Sequence, residues 1–214
     1  MYATTKSMFC DGSCRGNGQK GAFGGWAWAF WDGMIHSTPT VSSAAPLPYV
    51  PTPTNQRAEL TALLEAIRWL DHQHIPSATI YTDSNYAIQC TSKWGPGWKR
   101  AGWKRSSGEP LQNLDLVKPL VDLWKPQWRL QHVYGHQKDS SAEAYGNNWV
   151  DRAAVEAGET KTVLVPRMYV SVPLENTVVV VPPVKPKEKE KEKEKEKPKG
   201  TLIQQDIRSW FGAK

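Results

Sequence analysis

The stretch Met8-Phe9-Cys10-Asp11-Gly12-Ser13-Cys14-Arg15-Gly16-Asn17-Gly18 reads as a strand that runs into a tight turn. Asp11 sits at the strand end. Gly12, Gly16 and Gly18 carry no Cβ, so the backbone can turn sharply and a ligand can come close. The chain resumes as Ala22-Phe23-Gly24-Gly25-Trp26-Ala27-Trp28-Ala29-Phe30-Trp31, whose alternation suits the second strand of a hairpin. A lone acid beside such a turn has an ordinary explanation, because Asp and Gly are common turn residues. Asp11 gains meaning from three acids further along.

Residues 36–54 are rich in proline: Pro39, Pro46, Pro48, Pro51 and Pro53. Proline cannot donate to a β-ladder, so only a short irregular edge strand is expected there, around residues 47–50. A helix follows, capped by Thr54 or Asn55, with Leu60, Leu63, Leu64, Ile67 and Leu70 at helical spacing. Glu59 is expected in its first turn, where the helix dipole favours a carboxylate. Ala78-Thr79-Ile80-Tyr81-Thr82 is a short strand that ends at Asp83, and the next helix begins at once. Asp83 either caps that helix or repeats the situation of Asp11. Open α/β sheets place their sites at such strand tips.

Between Lys93 and Arg105 five basic residues and no acid are interleaved with Trp94, Trp98 and Trp103. Cations neutralise phosphates and flat rings pack on sugars and bases, so the block suits nucleic acid. Residues 113–124 read as a helix in which Pro119 fits only near the first turn. A strand over 128–134, a loop carrying His136 and a helix over 144–157 carrying Asp151 complete the body. Taken singly, His136 has the bland reading of a solvated loop residue, and Asp151 that of an exposed helical acid.

With 214 residues, 39% hydrophobic content and 11 Trp, the chain can fill one core and still carry extensions. Most of the net charge of +6 lies beyond residue 158. The three cysteines, Cys10, Cys14 and Cys90, lack the spacing of a disulfide scaffold and fit free thiols in a reducing compartment. Cys10 and Cys14 have no partner pair at zinc-ligand spacing. No apolar run reaches transmembrane length, and residues 1–6 do not make a signal peptide. The expectation is an intracellular protein with no membrane role, nuclear in a eukaryotic host and otherwise cytoplasmic.

The sequence divides into a body over 1–158, a Val/Pro-rich extension over 159–184, a Lys/Glu linker over 185–200 and an apolar end over 201–214. The linker alternates Lys and Glu with nothing apolar to bury. Its like charges fall at i,i+4, so it is expected to be extended and disordered. The extension receives no assignment.

In this α/β plan Asp11, Glu59, Asp83 and Asp151 can converge at one sheet edge. Four converging carboxylates repel unless cations sit between them, and hard oxygen ligands select Mg²⁺ or Mn²⁺. Two such ions suit in-line displacement at phosphorus.

These pieces together resemble type 1 ribonuclease H. The resemblance rests on Phe9-Cys10-Asp11-Gly12-Ser13-Cys14-Arg15-Gly16-Asn17, Asn55-Gln56-Arg57-Ala58-Glu59-Leu60 and Tyr81-Thr82-Asp83-Ser84-Asn85-Tyr86. The Trp94 block, Asn113-Leu114-Asp115-Leu116, Val133-Tyr134-Gly135-His136 and Asn147-Asn148-Trp149-Val150-Asp151-Arg152-Ala153-Ala154 follow in family order, over about residues 7–157. The resemblance implies an α/β ribonuclease H-like fold, a five-stranded mixed sheet flanked by helices. It implies endonucleolytic cutting of the RNA strand of RNA–DNA hybrids, giving 5′-phosphate and 3′-hydroxyl ends. Asp11, Glu59, Asp83 and Asp151 match the acids that hold two Mg²⁺ ions, for which Mn²⁺ can substitute. His136 matches a mobile-loop histidine that aids proton transfer or product release. Gly12, Ser13, Asn17, Asn55, Gln56 and Asn85 match residues that meet the hybrid minor groove, where 2′-hydroxyls mark RNA. Trp94, Trp98 and Trp103, with Lys99, Arg100, Lys104 and Arg105, match a protrusion that grips the DNA strand.

The Pro-rich third-strand region, and Gln56 where relatives often carry Asn, depart from the pattern. With the motif starting so near Met1, no separate N-terminal hybrid-binding domain is expected. The tail has no counterpart in the family, but its end resembles a sliding-clamp-binding peptide. Gln204, Ile207, Trp210 and Phe211 have the spacing of a polar anchor followed by a three-residue apolar plug. That resemblance implies a clamp of the PCNA type as partner and a part in primer removal for a monomeric catalytic domain. Three other readings compete; one of them, a related fold with DNase or transposase activity, would be expected to lack the Trp94 block. A non-catalytic hybrid-binding module would be marked by loss of an acid, and all four are present. A domain of a retroelement polymerase fits the clamp-like tail poorly.

Overall fold

The hairpin forms as the alternation predicts. β1 (Lys6–Arg15) and β2 (Phe23–Asp32) pair antiparallel along their whole length, with Lys6 opposite Asp32 and Arg15 opposite Phe23. The computed structural model describes residues 6–105, 107–137 and 139–165, together with the backbone of 178–180. The Lys/Glu linker and the clamp-like peptide lie outside the described residues, as does most of the extension.

Alternation along the hairpin feeds two cores. Met8, Cys10, Trp28 and Phe30 face one side of the sheet, where they meet α1 (Asn55–His72) and α4 (Leu114–Leu123). Phe9, Ala27, Ala29 and Trp31 face the other side, where they meet α5 (Ala142–Thr160). Leu60, Leu63, Leu64, Ile67 and Leu70 of α1 are fully buried. Each contributes about 1.5–3 kcal/mol relative to exposure. Thr54 is the residue that caps α1, its hydroxyl accepting from Arg57 N–H at 3.1 Å.

The chain after α1 returns parallel to the hairpin. β4 (Ala78–Thr82) pairs parallel with β1, and β5 (Trp128–His132) pairs parallel with β4. Asp83, which follows the last residue of β4, and Asp11 therefore become neighbours; Asp11 is not at the strand end expected from the sequence but within β1, two residues past its last pairing with β4 at Phe9 opposite Tyr81. With β3 (Val41–Pro46), the five expected strands are present in the order β5-β4-β1-β2-β3, and two short strands extend the sheet beyond β3. These are β6 (Thr162–Leu164) and β7 (Val178–Val180), both drawn from the extension that the sequence left unassigned.

Three further local expectations are corrected. The third strand is β3 (Val41–Pro46) rather than residues 47–50, and it is not an edge, because β6 pairs with it at Ala44 opposite Leu164. Its small residues Ser42, Ser43 and Ala44 are buried between neighbours. Pro119 stands in the middle of α4 rather than near its first turn, so the hydrogen bond that a residue there would donate to the Asp115 carbonyl is lost. Glu59 is the fifth residue of α1, beyond the first turn, so its place is not explained by the helix dipole.

Between β4 and α4 the chain makes a run of short helical pieces. These are α2 (Asn85–Gln89), a single π-helical turn over Cys90–Trp94, and α3 (Gly95–Arg100). All three cysteines are free, and Cys10 and Cys90 are buried. No helix among the described residues is long and apolar enough to cross a membrane.

Candidate active site

Asp11 lies on the central strand and is only 7% exposed. Its Oδ1 accepts from the Gly12 N–H at 2.6 Å. Burial, followed by the charges of Asp83, Asp151 and Glu59, pushes its carboxyl well above the ordinary aspartate range, against the opposing pull of that hydrogen bond. Gly12 sets the distance to the next acid. A Cβ there would stand 2.1 Å from the Ala58 carbonyl carbon and 2.4 Å from Glu59 N, so the strand backbone rests directly on α1 where Glu59 leaves it.

Glu59 Oε2 accepts from Ser84 Oγ at 2.5 Å. Burial raises its carboxyl, the Ser84 hydroxyl opposes this, and the Asp83 charge adds to the rise. Ser84, rather than Asp83, is the cap of α2, its Oγ accepting from Ala87 N–H at 3.0 Å. One hydroxyl thus serves as donor to the acid and as acceptor for the helix. Asp83 is left free of capping duty. Its carboxyl is raised by burial and by Asp151, while Asn147 and His136 favour its charged form. Its main-chain carbonyl lies 3.2 Å from His132 Nε2, which assigns a proton to that nitrogen.

Asp151 comes from α5 and is half-buried, with His136 Nδ1 3.7 Å from its Oδ2. Asn147 lies one helical turn earlier and is 1% exposed. It stands against Asp83, although neither its amide nitrogen nor its oxygen reaches hydrogen-bond geometry. Close approach brings α5 this near the sheet: a Cβ on Gly158 would lie 2.7 Å from the Gly24 carbonyl carbon, and one on Gly146 would lie 2.5 Å from the Phe9 ring.

The four predicted acids are thereby brought together: Asp11 feels the charges of the other three, Glu59 that of Asp83 and Asp83 that of Asp151. Among the described residues no three His, Cys, Asp or Glu groups stand ready-placed around a single ion.

The predicted substrate residues lie along β1 and its Gly-rich turn, at the starts of α1 and α2, and in the Trp94 block. Asn17 Oδ1 accepts from the Asn55 N–H at 3.0 Å, tying the Gly-rich turn to the start of α1. Gln56 and Asn85 are exposed nearby at helix starts, and Ser13 is half-buried on β1. Trp94 is 39% exposed, whereas Trp98 and Trp103 are half-buried and pack partly on the core. Tyr86, Trp94, Trp98, Lys104 and Arg105 line a cleft of about 530 Å³. Arg100 and Lys104 are exposed, Lys99 pairs with Asp122 at 2.7 Å, and Arg105 pairs with Glu109 at 3.3 Å.

Several contributors escaped sequence reasoning. Ser84 was visible only as a polar residue beside Asp83. Asn147 and His132 were single letters in a motif and a strand. Arg57 makes a two-pronged contact with Asp115 and also donates to Asn113 Oδ1 at 3.2 Å, while Asn113 Nδ2 donates to the Tyr86 hydroxyl at 3.1 Å. Only the adjacency of Arg57 to the Glu59 motif hinted at this brace.

The sheet order and the acid cluster at its centre define the ribonuclease H-like class. The RNase H family profile matches residues 3–159. A ribonuclease H of Prochlorococcus marinus (strain NATL1A) is 38% identical over 146 residues, covering 68% of this chain and 82% of its own. A ribonuclease H of Cyanothece sp. (strain PCC 7425) is 33% identical over 143 residues, covering 67% of this chain and 85% of its own. Among solved structures, LC9-RNase H1, described as a type 1 RNase H with the type 2 active-site motif, is similar at 25% identity. Its TM-score is 0.60, with 76% of each chain covered. The chain belongs to the RNase H family.

Proposed function

We propose that this protein is a type 1 ribonuclease H that cuts the RNA strand of RNA–DNA hybrids internally. The observation that carries the reading is the meeting of Asp11 from within β1, Asp83 just past the end of β4, Glu59 from α1 and Asp151 from α5. Asp11, Glu59 and Asp83 are raised first by burial and then by the charge of neighbouring acids of the set. Such a set of hard, like-charged oxygen donors fits divalent cations of the Mg²⁺ type, with Mn²⁺ as substitute. Loading would include rotation of these side chains. Bound Mg²⁺, two ions in this reading, would lower the pKa of water and stabilise charge on the phosphate oxygens.

The chain's own groups do the rest. Hydrolysis adds water across the P–O3′ bond, so one product keeps a 5′-phosphate and the other gains a 3′-hydroxyl. Water loses a proton and the departing 3′ oxygen takes one. His136, exposed and 3.7 Å from Asp151, can carry a proton between solvent and the acids. Ser84 holds Glu59 in place through its hydroxyl, and the buried Asn147 stands against Asp83. Gly12, Ser13, Asn17, Asn55, Gln56 and Asn85 would read 2′-hydroxyls across the minor groove. The Trp94 block and its cations would grip the DNA strand.

In the same reading the tail recruits the enzyme to a PCNA-type clamp during primer removal through Gln204, Ile207, Trp210 and Phe211. Support for this rests on the peptide's spacing in the sequence alone. A digest of matched RNA–DNA, RNA–RNA and DNA–DNA duplexes in Mg²⁺ tests the activity. Only the hybrid should be cut, and Asp83→Asn should abolish the cut. Uncut hybrid, or full activity in the variant, refutes the reading. For the tail, Ile207→Ala with Phe211→Ala should abolish clamp pull-down and leave cleavage of short hybrids unchanged.

A further inference from the structure

We propose that Tyr134 is a substrate-contacting residue that binds the RNA strand beside the cut. Its hydroxyl would donate to a phosphate oxygen and its ring would rest against the adjoining ribose. The inference rests on the ribonuclease H reading and adds a residue that reading does not use.

The residues around Tyr134 are tied to the acid cluster. Val133 N–H donates to the Thr82 carbonyl at 3.0 Å, and Val133 itself is buried. A Cβ on Gly135 would lie 2.6 Å from Asp83 Oδ2, so the backbone just after Tyr134 lies against that carboxylate. His136 follows, 3.7 Å from Asp151. Consecutive Cα atoms are about 3.8 Å apart, so Tyr134 stands one residue from a contact to Asp83 and two from a contact to Asp151.

Its ring nevertheless points to water and is 73% exposed. Isolated exposed aromatics are common and need no role. This one is aimed. It meets the His132 ring edge-on, with centroids 5.4 Å apart at 90°, and His132 Nε2 is held at the Asp83 carbonyl. The bearing of the ring is therefore set from the same residue that supplies a carboxylate, while the ring belongs to neither core.

The chemistry suits the position. A phosphate backbone lying over the acids offers acceptor oxygens at the rim, and tyrosine hydroxyls are among the donors that meet them. A phenol has one neutral O–H donor and loses little side-chain entropy on binding. A contact made equally in the bound substrate and at the transition state raises affinity without raising kcat.

The test is a steady-state comparison of wild type, Tyr134→Phe and Tyr134→Ala on one RNA–DNA hybrid in Mg²⁺. Tyr134→Ala should raise KM about tenfold or more, as loss of a hydrogen bond to a charged acceptor does. Its kcat should stay within about twofold and its Tm within about 1 °C, as expected of an exposed residue. Tyr134→Phe should lose the hydroxyl's share of this. A scan of single neutral methylphosphonate linkages along the RNA strand then locates the contact. Wild type should lose affinity at a linkage adjoining the cut, and Tyr134→Phe should lose nothing further there. An unchanged KM in Tyr134→Ala, a fall in kcat alone, or methylphosphonate losses that persist in full in Tyr134→Phe would overturn the proposal. Wild type that fails to cut the hybrid would overturn the ribonuclease reading and this one with it. Normal cutting with an unchanged KM would overturn this one alone.

Discussion

Alanine at position 12 should do more damage than its single methyl suggests. A Cβ there would meet the Ala58 carbonyl carbon at 2.1 Å, Glu59 N at 2.4 Å and the Ala58 carbonyl oxygen at 2.5 Å. Carbon atoms in ordinary contact stand about 3.5–4.0 Å apart, so roughly 1.4 Å must open between β1 and the start of α1. The struck atoms are all backbone, and no rotamer change relieves them. Overpacking a core that can adjust its side chains costs about 1–3 kcal/mol, so Gly12→Ala should cost at least about 3 kcal/mol. For a domain of this length that corresponds to a fall in Tm of roughly 6–12 °C. The same opening separates Asp11 from Glu59, and a misplacement of about 1 Å at a reacting centre can cost on the order of 100-fold in rate. Thermal unfolding followed by circular dichroism without metal, and kcat on a hybrid well below the midpoint, measure the two effects. Gly97→Ala is the control: nothing lies within 4 Å of a Cβ there, and the residue is in α3. It should hold or gain up to about 1 kcal/mol. A Gly12→Ala protein that melts within about 1 °C of wild type and keeps its kcat would show that strand and helix do not meet backbone to backbone.

Asp11→Asn should raise the Tm of the metal-free protein by a few degrees, the size of a 1–2 kcal/mol change, because it removes a buried charge that its neighbours repel; an unchanged or lowered midpoint in calorimetry counts against the cluster. The pH dependence has a definite sign. Acids raised on folding bind protons in the folded state before the unfolded chain does, so their charge penalty is full above their raised values and relieved as pH falls toward the unfolded range near 4. The metal-free midpoint should therefore rise on mild acidification from neutrality, and the Mg²⁺ concentration needed for half-maximal cleavage should rise with it; a flat response in both titrations would dismiss the coupling. Ser84→Ala should cost about 1 kcal/mol through the lost cap of α2 and should also raise the Mg²⁺ requirement through the freed Glu59, whereas Ser84→Thr should restore both, as metal titrations of the three proteins can determine.

The sequence carried the hairpin and the acids because each rests on local pattern. Alternation over β2 and leucine spacing over α1 are properties of short windows. β3 was misplaced because Ser42-Ser43-Ala44-Ala45 shows no alternation of polarity; its burial comes from β2 on one side and β6 on the other, which is long-range information. Asp83 and Ser84 are adjacent and both able to cap, so only the fold could assign the cap to Ser84 and leave the carboxylate to the site. Glu59 was put one turn too early because the helix starts at Asn55, and its true support, the Ser84 hydroxyl, is 25 positions away in the chain. Asn147 shows no signal beyond its place in a motif, since a buried amide matters only through what it faces.

The two short strands beyond β3 also bear on how copies of this protein treat one another. A sheet margin is a row of unused donors and acceptors, and a second chain can complete it. Here β6 takes up the margin of β3, and the Ser43 hydroxyl reinforces the join by donating to the Leu164 carbonyl at 2.9 Å. A catalytic body trimmed at residue 158 would trade that closed margin for an open one lined by small residues. Its colloidal behaviour at high concentration would then be set by an edge that the natural chain keeps covered.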